Sequence, residues 1–191
     1  MAKTRCSPSC LRCFSVHSLD IISIVKLNQP ALDFELPDLT GILHRLGDTL
    51  GKIVVLNFWS AECPHSERTD RYLVDLLGKW HGEVELLSIA ANRNESIELI
   101  EEAARRRHIP KLLVDSGHVV ADLYGAITTP HVFLVDRDGI LRYRGAVDDV
   151  TFRQRQATRF HLQEAIEALF HGRLPALSET PAYGCAIVRE I

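Results

Sequence analysis

The chain has 191 residues, of which 46% are hydrophobic and 25% are charged, with a formal net charge of -3. This length suits one well-buried core and is too short for two ordinary domains. The charge provides no basic stripe, so nucleic acid is not an expected partner. The best apolar stretch, residues 19–27, is far shorter than the roughly 18 residues of a membrane span and contains Asp20 and Lys26. Because no clear signal peptide is visible either, we expect a soluble, cytoplasmic protein.

Five cysteines, an odd number spread unevenly, do not form a disulfide framework. Three of them, Cys6, Cys10 and Cys13, fall in residues 1–27, which we predict to be an irregular N-terminal extension. Their spacing loosely suggests metal ligation, but no fourth ligand stands at a usual distance. We therefore predict neither a metal site nor a cofactor.

Strand and helix patterns alternate over residues 28–172, the predicted domain. Strands are predicted at 31–39, 53–59, 84–90, 112–115, 131–136 and 141–144, and helices at 66–80, 96–108, 119–124 and 158–170. Residues 136–139, Asp-Arg-Asp-Gly, read as a hairpin turn, so the last two strands should be antiparallel. The basic run at 105–108 is interpreted as a solvated C-terminal helix turn rather than an anion site. Residues 173–191 form a predicted C-terminal tail.

Cys63 lies between a strand and a helix, at the point where the helix begins. The first N–H groups of a helix lack intrahelical partners and carry partial positive charge, which stabilises a thiolate more than a thiol. Pro64 suits the first helical turn. Free cysteine is also one of the most buried residue types, so a structural role is the alternative. The position favours a reactive Cys63.

The segment Cys63-Pro64-His65-Ser66 resembles the Cys-x-x-Cys active site of the thioredoxin-like superfamily. Residues 29–38 resemble the opening of its redoxin and TlpA-like branch, and Thr129-Pro130 resembles the active-site cis-proline. The resemblance implies an α/β thioredoxin fold, with a central mixed β-sheet flanked by helices. It also implies a substrate groove in which the backbone beside the cis-proline pairs with an extended partner. The expected groove residues are Trp59, Pro64, His65, Thr129 and Pro130.

Ser66 stands where the second cysteine of a dithiol site would be. Its hydroxyl can hydrogen-bond to the Cys63 thiolate but cannot close a disulfide. Either Cys63 works as a monothiol, or a cysteine from elsewhere resolves it. Two neighbours act in opposite directions, since a Glu62 carboxylate would raise the thiol pKa and a protonated His65 would lower it. Both can equally be solvated surface residues.

Cys185 lies in a second stretch of resemblance. Residues 143–149 and 179–188 resemble a peroxiredoxin-like, AhpC/TSA-related branch whose members share a Gly-Cys near the C-terminus. The peroxiredoxin signature is only partly met, because Ser60 fits while Leu56 stands where proline belongs. Two interpretations remain open: Cys185 resolves Cys63, or it is merely packed in a short edge strand.

The predicted function is that of a redoxin-type thiol-disulfide oxidoreductase in which Cys63 is the nucleophile, assisted by Ser66, with Cys185 as the candidate resolving cysteine. The expected partners are disulfides and thiols, on proteins or small molecules, and peroxide. The alternatives are a weak thiol peroxidase and a non-catalytic thioredoxin-fold binding module. A lowered Cys63 pKa separates them, because a binding module does not need one.

Overall fold

The computed structural model describes residues 25–80 and 82–189. The predicted N-terminal extension, with Cys6, Cys10 and Cys13, lies almost entirely outside the described residues. The chain order is β1 (Glu35–Pro37), β2 (Leu43–Arg45), a 3-10 turn (Leu46–Thr49), β3 (Ile53–Trp59), α1 (Pro64–Gly78), β4 (Val84–Ala90), α2 (Ile97–Arg106), β5 (Leu112–Val114), α3 (Val119–Tyr124), β6 (Thr128–Thr129), β7 (His131–Val135), β8 (Leu141–Gly145), α4 (His161–Phe170) and β9 (Cys185–Ala186).

The central sheet has the strand order β5-β4-β3-β7-β8. Strands β3, β4 and β5 are parallel, whereas β7 runs antiparallel to both β3 and β8. All seven residues of β3 are buried, which explains why its sequence is a continuous apolar run rather than an alternating one. The sheet is therefore mixed, as the sequence predicted, and the hairpin at residues 136–139 joins two antiparallel strands.

Several predicted boundaries differ from the structure by a few residues. The last helix begins at His161 rather than Thr158, because the Thr158 amide and hydroxyl both bond the Asp149 carboxylate (2.9 and 2.6 Å) and hold that residue in a loop. The first strand is only Glu35–Pro37. Helix α2 begins as expected, with the Ser96 hydroxyl accepting a hydrogen bond from the Leu99 amide (3.3 Å).

The C-terminal tail packs against the domain. Its residues Cys185 and Ala186 form β9, which pairs antiparallel with β6 in a separate two-stranded sheet. Ile187 is buried and joins the core cluster on the α3 side of the sheet. Among the helices of the described residues, none combines the length and the apolar character that a bilayer crossing requires.

Candidate active site

Cys63 caps the N-terminus of α1, directly after β3, and Pro64 occupies the first helical turn. Only 2% of the residue is exposed. Its backbone amide donates to the Ser60 hydroxyl (3.0 Å), and its Sγ donates to the Thr129 carbonyl oxygen (2.9 Å). The thiol therefore lies between the start of α1 and the strand β6.

The peptide bond between Thr129 and Pro130 is cis, as the family resemblance implied. Thr129, the residue that accepts from Cys63, is paired across the small sheet with Cys185. Strand pairing thus brings Cys185 to the same backbone group that Cys63 contacts. Cys185 does start a short strand, and that strand places it beside Cys63. Both cysteines are free thiols.

Burial by itself raises the pKa of the Cys63 thiol, because the thiolate is charged. Hydrogen bonds from the Cys185 thiol and from the Ser66 backbone amide outweigh burial, so the pKa of Cys63 lies below its ordinary value. The pKa of Cys185 is raised, first by burial and then by its contact with Cys63. The two thiols therefore differ in role: Cys63 is the easier one to ionise, and Cys185 donates to it.

The hydroxyl of Ser66 does not hydrogen-bond to Cys63, although the sequence predicted that it would. Ser66 is fully buried, and its Oγ has no hydrogen-bond partner among the described residues. The group that stabilises the Cys63 thiolate is instead the Ser66 backbone N–H, because the start of α1 points this amide at the sulfur. Asn57, also fully buried, likewise has an unpartnered side chain in the described structure.

The expected groove residues separate into two groups. Pro64 is exposed and His65 is half-buried, with its ring 5.0 Å from that of Tyr183 in the tail. Trp59 does not line a groove, and this expectation was wrong. Its ring is completely buried, and its Nε1 donates to both carboxylate oxygens of Asp70 (3.0 and 2.9 Å). Trp59 therefore lies in the core next to the site and does not reach the surface.

Glu62 remains on the surface, where it accepts a hydrogen bond from Asn94 Nδ2 (3.0 Å). A different carboxylate, Glu95, holds the segment before Cys63. Glu95 is 8% exposed; it accepts from the Ser60 hydroxyl and from the backbone amides of Ala61 (3.0 Å) and Glu62 (3.2 Å). Glu95 could not be identified from the sequence, because Ser60, Ala61 and Glu62 lie more than thirty positions earlier in the chain.

Arg107 was interpreted as part of a solvated helix end, and this was wrong for its side chain, which is 7% exposed. It donates to the carbonyl oxygens of Ser60 (3.3 Å) and Ala61 (2.6 Å) and pairs with Asp70 (3.2 Å). Its guanidinium also lies 5.5 Å from the centre of the Trp59 ring. Arg107 donates to carbonyl oxygens of the segment between β3 and Cys63, and Glu95 accepts from its amides. The two side chains thus fix this backbone together.

The part of the chain that the structure describes contains no cluster of three or more His, Cys, Asp or Glu side chains suited to a metal ion. The site itself offers two thiols, and the pKa of one of them, Cys63, is lowered. The fold and the site define a thioredoxin-fold protein with a thiol at the start of its first long helix and a second thiol supplied by the tail.

Comparison with known proteins gives the family. Residues 27–144 match the model of the AhpC/TSA family. The chain belongs to this family. The match ends before the tail, so Cys185 lies outside it.

The chain is also similar to individual proteins. It is 35% identical over 117 residues to the thiol-disulfide oxidoreductase ResA of Geobacillus thermodenitrificans, a match that spans 60% of this chain and 66% of that relative. An uncharacterized conserved protein from Geobacillus kaustophilus has a solved structure with a TM-score of 0.79, 26% identity, and coverage of 87% of this chain and 94% of its own. The thioredoxin domain of a Bacteroides vulgatus thiol-disulfide oxidoreductase shares the fold at 20% identity, with a TM-score of 0.57 and coverage of 69% and 93%.

Proposed function

We propose that this protein is a thiol-disulfide oxidoreductase that uses Cys63 as its nucleophile and Cys185 as its resolving cysteine. The observation that carries the proposal is that Cys185 pairs with Thr129, the residue whose carbonyl oxygen accepts a hydrogen bond from Cys63 Sγ (2.9 Å) at the start of α1. The lowered pKa of Cys63 agrees with it. The similarity to the thiol-disulfide oxidoreductase ResA supports the reaction class. A lowered pKa also argues against a binding module, which would gain nothing from it.

The proposed reaction has two exchanges. The Cys63 thiolate attacks one sulfur of a substrate disulfide; a Cys63–substrate disulfide forms, the substrate S–S bond breaks, and one thiolate leaves and takes a proton from water. Cys185 then loses its proton to water and attacks Cys63 Sγ. The Cys63–Cys185 disulfide forms and the second substrate thiolate leaves. The substrate gains two electrons, which the protein loses and an external thiol reductant restores.

The raised pKa of Cys185 suits this order of events. Part of the rise comes from the adjacent Cys63, and that part disappears once Cys63 is bound to substrate and carries no charge. The backbone amide of His65 acts in the other direction and favours the Cys185 thiolate. Cys185 therefore becomes a better nucleophile after the first exchange than before it.

Peroxide reduction is less well supported. Ser60 is the one hydroxyl that fits the peroxiredoxin pattern, but it donates its proton to Glu95 and accepts from the Cys63 amide. A hydroxyl has a single proton to donate, so Ser60 has none left for a peroxide. We therefore expect disulfides to oxidise Cys63 faster than hydrogen peroxide does.

The test is to map the linkage that a substrate leaves behind. In a background with Cys6, Cys10 and Cys13 changed to serine, the reduced protein is treated with a small disulfide and analysed by non-reducing peptide mass spectrometry. We expect a Cys63–Cys185 disulfide, a stable substrate adduct on Cys63 in Cys185→Ser, and no adduct in Cys63→Ser. A stable adduct on Cys63 beside a free Cys185 in the parent protein would refute resolution and indicate a monothiol mechanism.

A further inference from the structure

The tail is attached to the domain on both sides of Cys185. Upstream, the Thr180 hydroxyl bonds the Tyr143 hydroxyl (2.6 Å) and accepts from the Ala146 amide (3.0 Å). Downstream, Ile187 is 6% exposed and its amide donates to the Ile127 carbonyl (3.0 Å). Cys185 is therefore held in place, rather than carried on a loose end that visits the site.

Two close backbone approaches show that the path of the tail requires glycine at two positions. A Cβ on Gly184 would overlap the carbonyl oxygen of Thr129, and a Cβ on Gly145 would overlap Thr180. Both contacts involve backbone atoms, which cannot turn aside as a flexible side chain can. Only glycine at these two positions lets the tail lie against β6 and the end of β8.

The tail also covers the backbone that a polypeptide substrate would use. An extended chain binds to a domain by adding a strand to a free backbone edge. The edge nearest Cys63 is that of β6, whose Thr129 contacts the thiol, and β9 already pairs with it. Cys63 itself is 2% exposed, and the rings of His65 and Tyr183 are in contact beside it.

From these contacts we infer that the docked tail makes Cys63 react faster with low-molecular-weight disulfides than with disulfides carried on polypeptide chains, with Gly184 as the residue that sets this specificity. The inference rests on the thiol-disulfide exchange proposed above. A small disulfide needs only to bring one sulfur to Cys63 and needs no backbone edge. A polypeptide needs the β6 edge as well, and therefore has to displace β9.

The experiment measures the first exchange alone. Its background has Cys185→Ser together with serine at Cys6, Cys10 and Cys13, so that Cys63 is the only thiol and its adduct persists. Rates of adduct formation are compared for bis(2-hydroxyethyl) disulfide and for the disulfide-linked dimer of a short extended peptide. The comparison is repeated with Gly184→Ala. Gly78→Ala is the control, because a Cβ there meets no atom within 4 Å.

Hydrogen exchange at the Ile187 amide reports whether the tail is docked. We expect the background protein to react with the peptide dimer about tenfold more slowly than with the small disulfide, because the backbone hydrogen bonds of β9 have to break first. Gly184→Ala should expose the Ile187 amide and remove most of this difference, while Gly78→Ala should change neither. Thr180→Val, which loosens the upstream attachment, is a second variant with the same expected direction.

Equal rates for the two disulfides in the background protein would overturn the inference and leave the proposed function standing. An unchanged peptide rate in a variant whose Ile187 amide has become exposed would also overturn it. A still-protected Ile187 in Gly184→Ala would overturn the role of Gly184. If Cys63 reacts with neither disulfide, the thiol-disulfide exchange itself is wrong.

Discussion

The buried carboxyl of Asp70 gives a quantitative test of how the active-site loop is supported. Asp70 is 1% exposed, and burial raises its pKa from 3.8 to about 6, although Trp59 and Arg107 both donate to it and lower it. The folded-state pKa therefore lies above the unfolded value of roughly 3.9. For a raised pKa the contribution to stability is fully present at low pH and is lost as the pH rises through the folded value.

The size of the effect follows from the shift. About two pKa units correspond to about 3 kcal/mol, of which about 2 kcal/mol falls between pH 4 and pH 7.5. Asp70→Asn keeps an acceptor for Trp59 and Arg107 but removes the titration. The free energy of unfolding of the variant minus that of the parent should therefore increase by about 2 kcal/mol as the pH is raised over this interval.

Urea unfolding of both proteins at the two pH values, followed by far-UV circular dichroism, measures this difference. Asp75→Asn is the control, since Asp75 is an exposed carboxyl on the same helix. A difference for Asp70→Asn that does not change with pH would show that burial does not raise the pKa of Asp70. A change of opposite sign would mean that attraction to Arg107 exceeds the cost of burial.

Two further predictions concern the thiols. Cys185→Ala should raise the pKa of Cys63, because it removes the hydrogen bond that the Cys185 thiol gives. Thiolate absorbance, measured against pH in a background without the other cysteines, tests this prediction. An unchanged titration midpoint would contradict it. Since only the thiolate reacts, the reaction rate of Cys63 should then level off at a higher pH than in the parent protein. Ser66→Cys combined with Cys185→Ser should restore a local dithiol, because Ser66 lies in the first turn of α1 after Cys63. Oxidation and peptide mapping should reveal a disulfide between Cys63 and the introduced thiol; its absence in a folded variant would show that the two positions cannot reach disulfide geometry.

The central strand and the position of Cys63 at a helix start could both be predicted from the sequence. Seven consecutive positions of β3 are buried on both faces, so the strand could be recognised from its composition without knowing its neighbours. The Cys63-Pro64 step could be recognised as a helix start for the same reason, since capping and proline preferences act within one turn. Properties set by residues close in sequence are visible in the sequence.

The groups that surround Cys63 could be known only from the folded structure. The side chains of Glu95 and Arg107, which lie before and after α2, face the loop at 60–62, and nothing in their own neighbourhoods distinguishes them from solvated charges. The same holds for Cys185, whose place beside Cys63 depends on the pairing of β9 with β6 and on two glycines that allow the tail to approach. Contacts between segments far apart in the chain leave no local periodicity, so only the folded structure reveals them.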